Sequence, residues 1–316
     1  MDRPSASAER QPRQPRAALL IIAVVIGLVV GGAIDVLRVG GLGAWLAARG
    51  PNPAAQMPVP PYEAQGRVVA VDGRDVYLDC RGTGSPTVVL EAGFGSGAGS
   101  WGAVLDGVAA FTRVCAWDRP GLGRSTARGL HSGAQTASDL RTALDGAGER
   151  GPFVVVAHSL GGVYARLFAA SPGSDGADAV VAFVMIDTYE PDLGIDVDPA
   201  LPEEDRATIR QSIEGTGAMI QQGEQLDWAA TMAELAAVGP VQLPAVTLWV
   251  DQAGRFPNPD PARTAALVDA WNRAVAARYP NGSMEIVAGA GHLIHLERPD
   301  LVIDRIRSTV LAHRSE

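Results

Sequence analysis

Short apolar runs at residues 87–91, 114–117, 153–157, 180–186, 246–250 and 284–287 recur along the chain, and helix-compatible stretches such as 134–148, 163–170, 262–278 and 299–313 lie between or after them. A strand that is apolar throughout has both faces buried. Its alternation with amphipathic helices puts those helices on both sides of one mostly parallel, twisted α/β sheet. Residues 67–71 and 76–80 alternate polar and apolar around Asp72-Gly73, which reads as a hairpin and places an antiparallel pair at one edge. With 47% hydrophobic and 19% charged residues, a chain of 316 residues can bury a large core, and global disorder is excluded. No internal repeat is visible. The rhythm breaks at 189–240, about fifty residues that are mostly helix-compatible at 203–222 and 225–238. That is too long for an ordinary connection and predicts a helical cap over a functional site.

The formal net charge of −9 argues against a nucleic-acid footprint, which needs a basic face. All 26 positive residues are arginine, so chemistry that depends on a lysine Schiff base is excluded. Two cysteines, Cys80 and Cys115, are too few for a disulfide scaffold or a structural zinc site, and neither metal nor cofactor is expected.

Residues 1–16 form a basic tail carrying Arg3, Arg10, Arg13 and Arg16, followed by an uncharged run from Ala17 to Ile34. Eighteen residues at about 1.5 Å each span roughly the hydrocarbon thickness of a bilayer. Segment 17–37 is therefore expected to be a single transmembrane anchor, with a cleaved secretory signal as the alternative. Four arginines before the run against two after it favour the N-terminus inside and the remainder outside the cytoplasm. Residues 38–65 read as a linker, with five prolines over 50–65, and a folded domain is expected over 66–316.

The sharpest local pattern is Phe153-Val-Val-Val-Ala157-His158-Ser159-Leu160-Gly161-Gly162. A strand runs straight into a serine that is followed by small residues and a helix. This is G-x-S-x-G with Ala157 at the first glycine position, and it forces a tight, strained turn that exposes the hydroxyl. A serine attacks only when a base takes its proton. Among five histidines His292 is favoured, because Ala288-Gly289-Ala290-Gly291-His292 follows the last strand run directly, and His295 is the runner-up. The acid that orients the base is Asp187 or Asp251, each at the C-terminal end of an apolar run. Backbone N–H groups of Leu160 and of Phe94, in the flexible Gly93-Phe94-Gly95 segment, can form an oxyanion hole. That segment does not lead cleanly into a dinucleotide-binding G-x-G-x-x-G spacing.

Four ordered blocks make the chain resemble the α/β-hydrolase superfamily, in the branch of serine esterases, haloperoxidase-like enzymes and aminopeptidases. They are Leu90–Gly95, Trp117–Ser125, Ala157–Gly162 and Gly289–His292 with Glu297-Arg298-Pro299 after it. The resemblance implies Ser159 as nucleophile, His292 as base, and Phe94 and Leu160 as oxyanion donors, with Asp118 and Arg119 structural. It departs in writing Ala92-Gly93 where the family usually has His-Gly. The acid's usual place beyond the seventh strand falls near Ala253, which favours Asp187, at the end of the sixth strand, over Asp251. The family's strand order would also set Cys80 beside Cys115 on antiparallel neighbours, in disulfide range if the domain lies outside the cytoplasm. A serine in place of an aspartate nucleophile points to acyl transfer on a small-molecule carboxylic ester. The alternatives are a ligand-binding or sensing module with little turnover, and an aminopeptidase or amidase of the same fold.

Overall fold

The computed structural model describes residues 62–173, 176–190, 218–250, 273–279 and 282–314. The apolar run at 17–34, most of the linker, most of the expected helix at 262–278 and Asp251 lie outside them. Among the described residues no helix is long and apolar enough to cross a membrane.

The strands are β1 (Arg67–Val71), β2 (Arg74–Arg81), β3 (Thr87–Glu91), β4 (Val114–Trp117), β5 (Phe153–His158), β6 (Val180–Ile186), β7 (Ala218–Gln221), β8 (Glu224–Asp227), β9 (Ala245–Val250) and β10 (Ser283–Val287). Eight of them form one sheet in the order β1-β2-β4-β3-β5-β6-β9-β10. The β1/β2 and β2/β4 pairs are antiparallel, and every later pair is parallel. The order runs outward in both directions from β3, so the C-terminal ends of β3, β5, β6 and β9 open onto a common crevice at the switch in strand order.

Side chains alternate across the sheet, as the strand period of two requires. Phe153, Val155 and Ala157 of β5 join the core under α2 (Gly133–Ala147) and α3 (Gly161–Ala169). Val154 and Val156 join the opposite core under α1 (Gly102–Ala109) and α5 (Pro299–Ala312). Helix α2 starts on a reciprocal capping box between Ser132 and Gln135 and stops at Gly148 in the left-handed conformation, φ 77°. Cys80 and Cys115, directly opposite in the β2/β4 ladder, are joined in a disulfide.

Of the expected cap, 191–217, with most of the helix expected over 203–222, lies outside the described residues, and 218–227 differ from the helical expectation. Residues 218–227 form the hairpin β7/β8, whose turn residues Gln222 and Gly223 both have positive φ, 53° and 105°. Two consecutive positive φ values are the signature of the hairpin turn whose twist matches paired strands. Helix α4 (Trp228–Val238) starts three residues later than the sequence suggests, because the Asp227 carboxylate caps it by accepting the Ala230 N–H at 3.0 Å. The hairpin and α4 are docked on the body. The Asp227 N–H donates to the His131 carbonyl at 2.8 Å, and both Ser132 Oγ and the Ala134 N–H donate to Glu234.

Candidate active site

Ser159 lies between the end of β5 and the start of α3, with φ 53°, a left-handed conformation that non-glycine residues adopt only under constraint. The constraint comes from close packing. A Cβ on Gly161 would stand 2.5 Å from the Glu91 carbonyl oxygen, and one on Gly162 would stand 2.7 Å from Thr188 Cβ. Only glycine lets the helix start so near β3 and the segment after β6. The backbone carries the turn into the neighbouring strand, since the Ser159 N–H donates to the Ile186 carbonyl and its own carbonyl accepts from the Tyr189 N–H.

Asp187 follows β6 directly with φ 42°, and its backbone N–H donates to the Leu248 carbonyl of β9 at 2.7 Å. Its carboxylate meets His292, with Oδ2 2.6 Å from the imidazole Nδ1. A carboxylate only accepts, so Nδ1 holds the proton and Nε2 is left as the basic atom. The Asp187 side chain is 1% exposed and that of His292 29%, so the acid is buried while the imidazole reaches the crevice. The segment after Asp187 is anchored by Glu190, which accepts from Arg166 at 2.9 Å and from the Tyr279 hydroxyl at 3.0 Å.

The loop carrying His292 is held at two points. Glu297 accepts the Gly291 N–H at 2.6 Å, and His158 Nε2 donates to the His292 carbonyl at 2.9 Å. His158 thereby ties the His292 backbone to the end of β5. His295 is buried between Trp101 and His158, at ring distances of 4.6 and 4.4 Å. Burial, with His292 close by, moves it from 6.5 down to about 3. It is a neutral packing group behind His292, whereas His292 is the one placed on Asp187. His131 is buried against the cap hairpin and donates from Nδ1 to the Gly129 carbonyl.

The segment after β3 lies directly against the serine. A Cβ on Gly93 would be 3.2 Å from Ser159 Cβ. None of the described hydrogen bonds uses the N–H of Phe94 or of Leu160, so both donors are free for a ligand.

Asp118 acts as the sequence implies, its carboxylate accepting the N–H groups of Ala98 and Arg124. Arg119 does not stay in its own loop. It reaches Glu91 at 2.7 Å, the carbonyls of Ala92 and Gly93 at 2.7 and 2.6 Å, and Glu224 of β8 at 2.7 and 3.0 Å. Arg119, Glu91 and Glu224 are each 0–1% exposed. Burial pushes Glu91 up to about 7, against the pull of Arg119 and the Trp117 N–H. The Tyr164 hydroxyl, which donates to Glu224 at 2.8 Å, is pushed well above its ordinary value by burial and by that carboxylate. Sequence reasoning did not single out Glu224, whose partner Arg119 is 105 residues away.

The pattern of the alpha/beta hydrolase family matches residues 88–305, well over half of the chain. The chain belongs to that family. An uncharacterized protein of Schizosaccharomyces pombe is 53% identical to it over 60 residues, 19% of this chain and 11% of the other. The putative carbamate hydrolase RutD of Azorhizobium caulinodans is 37% identical over 90 residues, 28% of this chain and 33% of its own length. The chain thus spans a third or less of these two relatives. A solved thermophilic esterase from Thermogutta terrifontis superposes with a TM-score of 0.54 at 20% identity, covering 80% of this chain and 100% of that one. At that identity the likeness is one of fold.

Proposed function

We propose that this alpha/beta hydrolase is a serine hydrolase that cleaves a small carboxylic ester through an acyl-enzyme. The observation that carries the reading is the 2.6 Å pair between Asp187 and His292, beside a serine held at φ 53°. His292 Nε2 takes the Ser159 proton as Oγ attacks the ester carbonyl carbon. The carbonyl π pair moves onto oxygen, where the N–H groups of Phe94 and Leu160 receive it. Collapse expels the alkoxide, which leaves as the alcohol with the proton held on His292. Water then attacks the acyl-enzyme, giving its proton to His292, and the acid departs as Ser159 recovers its hydrogen. Asp187 keeps the imidazole in the required tautomer and stabilises the imidazolium at each transfer.

A serine at this turn favours acyl transfer over the alkyl-enzyme chemistry of aspartate nucleophiles. Among the described residues of the cap, Glu224 is engaged by Arg119 and Glu234 by the start of α2, which favours an ester over an aminoacyl substrate. In the same reading, 17–37 anchors the chain in a membrane with the catalytic domain outside the cytoplasm. The Cys80–Cys115 bond supports an oxidising compartment. Full-length protein in detergent should turn over short p-nitrophenyl esters and take a fluorophosphonate at Ser159. A protein inert to both sinks the proposal, and carbamate and aminoacyl-amide analogues assayed alongside identify the acyl class. Protease applied to intact cells should reach the domain, and full protection would refute the topology.

A further inference from the structure

The cap hairpin holds a position that covering a pocket does not require. Its turn is wedged between two loops of the body. A Cβ on Gly95 would stand 2.6 Å from the Gln221 side chain, and one on Gly121 only 2.2 Å from the Gly223 carbonyl oxygen. Immediately after this turn Glu224 is fully buried and uses both carboxylate oxygens. Oε1 accepts from Arg119 Nε at 2.7 Å and from Tyr164 at 2.8 Å, while Oε2 accepts from an Arg119 terminal nitrogen at 3.0 Å and from the Gly95 N–H at 2.8 Å. Arg119 has five N–H donors, and the five acceptors it meets come from Glu224 twice, Glu91, Ala92 and Gly93.

The bond to the Gly93 carbonyl matters most. That oxygen belongs to the same planar peptide as the Phe94 N–H, and in a trans peptide the two point in opposite directions. Arg119 grips one side of the plane at 2.6 Å, so the Phe94 N–H is aimed away from Arg119. Glu224 fixes the next peptide by accepting the Gly95 N–H. A glycine on each side of Phe94 leaves this segment little rigidity of its own.

We infer that Glu224 is a positioning residue for the oxyanion hole, acting through Arg119 and the Gly95 N–H, so that the hole is set only when the cap hairpin is docked. The inference rests on the acyl-transfer reading above. A substrate that undocks Glu224 then also shifts the donor that must meet its carbonyl oxygen. Arg119 then serves the oxyanion segment as much as the loop after β4.

The test uses the full-length protein and Glu224→Gln, which keeps the size and one carbonyl oxygen but loses the charge. kcat should fall about tenfold to a hundredfold, less than the roughly 10²–10³ for outright removal of an oxyanion donor because the N–H is displaced and not deleted, with KM within about twofold. The affinity of a trifluoromethyl ketone, whose adduct with Ser159 carries an oxyanion, should fall by the same factor, while product inhibition stays unchanged. Amide exchange over 92–96 should quicken without change in β5. Ile220→Ser, at an exposed position of the same hairpin, should leave all of these readouts at wild-type values. Wild-type kcat, ketone affinity and exchange in Glu224→Gln overturn the inference. So does exchange rising throughout the domain with kcat and KM both impaired, which would make Glu224 a general support of the fold. If the wild type is inert to every ester, the acyl-transfer reading fails, and exchange over 92–96 still decides whether the hairpin sets that segment.

Discussion

At the scale of single residues, the proposed site depends on which nitrogen of one imidazole holds the proton. Asp187→Asn offers His292 Nδ1 an amide that can donate as well as accept, which permits the wrong tautomer. The expected loss is about 10⁴ in kcat with substrate affinity nearly unchanged, read from steady-state kinetics on a p-nitrophenyl ester. Asp251→Asn should cost far less, and a reversal of that ranking would reassign the acid. His295 makes a separate prediction about stability. Its folded value lies near 3 against an ordinary 6.5, because the site between Trp101 and His158 has no room for a hydrated cation. Below pH 6.5 the unfolded chain takes up a proton that the folded chain refuses, so stability is lost as pH falls from 6.5 towards 3. His295→Phe removes that term. Its unfolding free energy relative to wild type should therefore rise by about 1.4 kcal/mol for each pH unit between 6 and 4, measured by urea titration at each pH. A difference that stays flat with pH would mean that His295 protonates in the folded state.

At the scale of elements, the turn at Ser159 works because α3 begins against the backbone of β3. Gly161→Ala would push a methyl group to 2.5 Å from the Glu91 carbonyl oxygen, and main chain can yield there only by moving the segment that leads to Phe94. Gly162→Ala meets Thr188 Cβ at 2.7 Å, which no side-chain rotation moves, so there the segment after β6 must give instead of the one leading to Phe94. Both should destabilise, Gly161→Ala by the larger part of the 1–3 kcal/mol typical of overpacking, and only Gly161→Ala should also abolish ester turnover. Equal effects in thermal melts and kinetics would refute the distinction. The parallel strands were readable from sequence because they are short, largely apolar runs, and β1 and β2 because they alternate around Asp72-Gly73. The turn at Ser159 was readable because its small residues are contiguous. The cap hairpin was not, since Ala218-Met219-Ile220-Gln221 and Glu224-Gln225-Leu226 suit a helix locally, and only the Gln222-Gly223 turn opposes it. The choice between Asp187 and Asp251 stayed open for a geometric reason. Both follow strands that pair side by side in parallel, β6 with β9, so chain position alone brings either within reach of one histidine loop. Glu224 carried no local signal at all, because its meaning comes from Arg119 on a distant loop.

At the scale of the whole molecule, the sheet has two parts that could separate. The β1/β2 hairpin is antiparallel and lies at the edge, and β2 pairs with the rest of the sheet through its ladder with β4. The Cys80–Cys115 bond crosses that seam. It closes a loop with a sequence separation of 35, which in the chain-entropy picture stabilises by about 4 kcal/mol, and engineered removals usually cost about 2–5. The same seam carries Tyr62, whose hydroxyl donates to Asp79 at 2.8 Å, and Arg81, which pairs with Asp79 and Asp106. The edge should therefore stay folded without the disulfide, at lower stability. The double variant Cys80→Ala/Cys115→Ala should lose about 2–4 kcal/mol in urea unfolding. It should keep kcat within about threefold at 25 °C, because the site lies at the far ends of β3, β5 and β6 and none of its side chains hangs from β2. Reductant should lower the wild type to the variant's midpoint and leave the variant unmoved. A variant that keeps full stability would mean the seam is held by its ladder and ion pairs alone. A variant that loses turnover in proportion to stability would mean the edge strand is coupled, through β4 and Arg119, to the oxyanion segment.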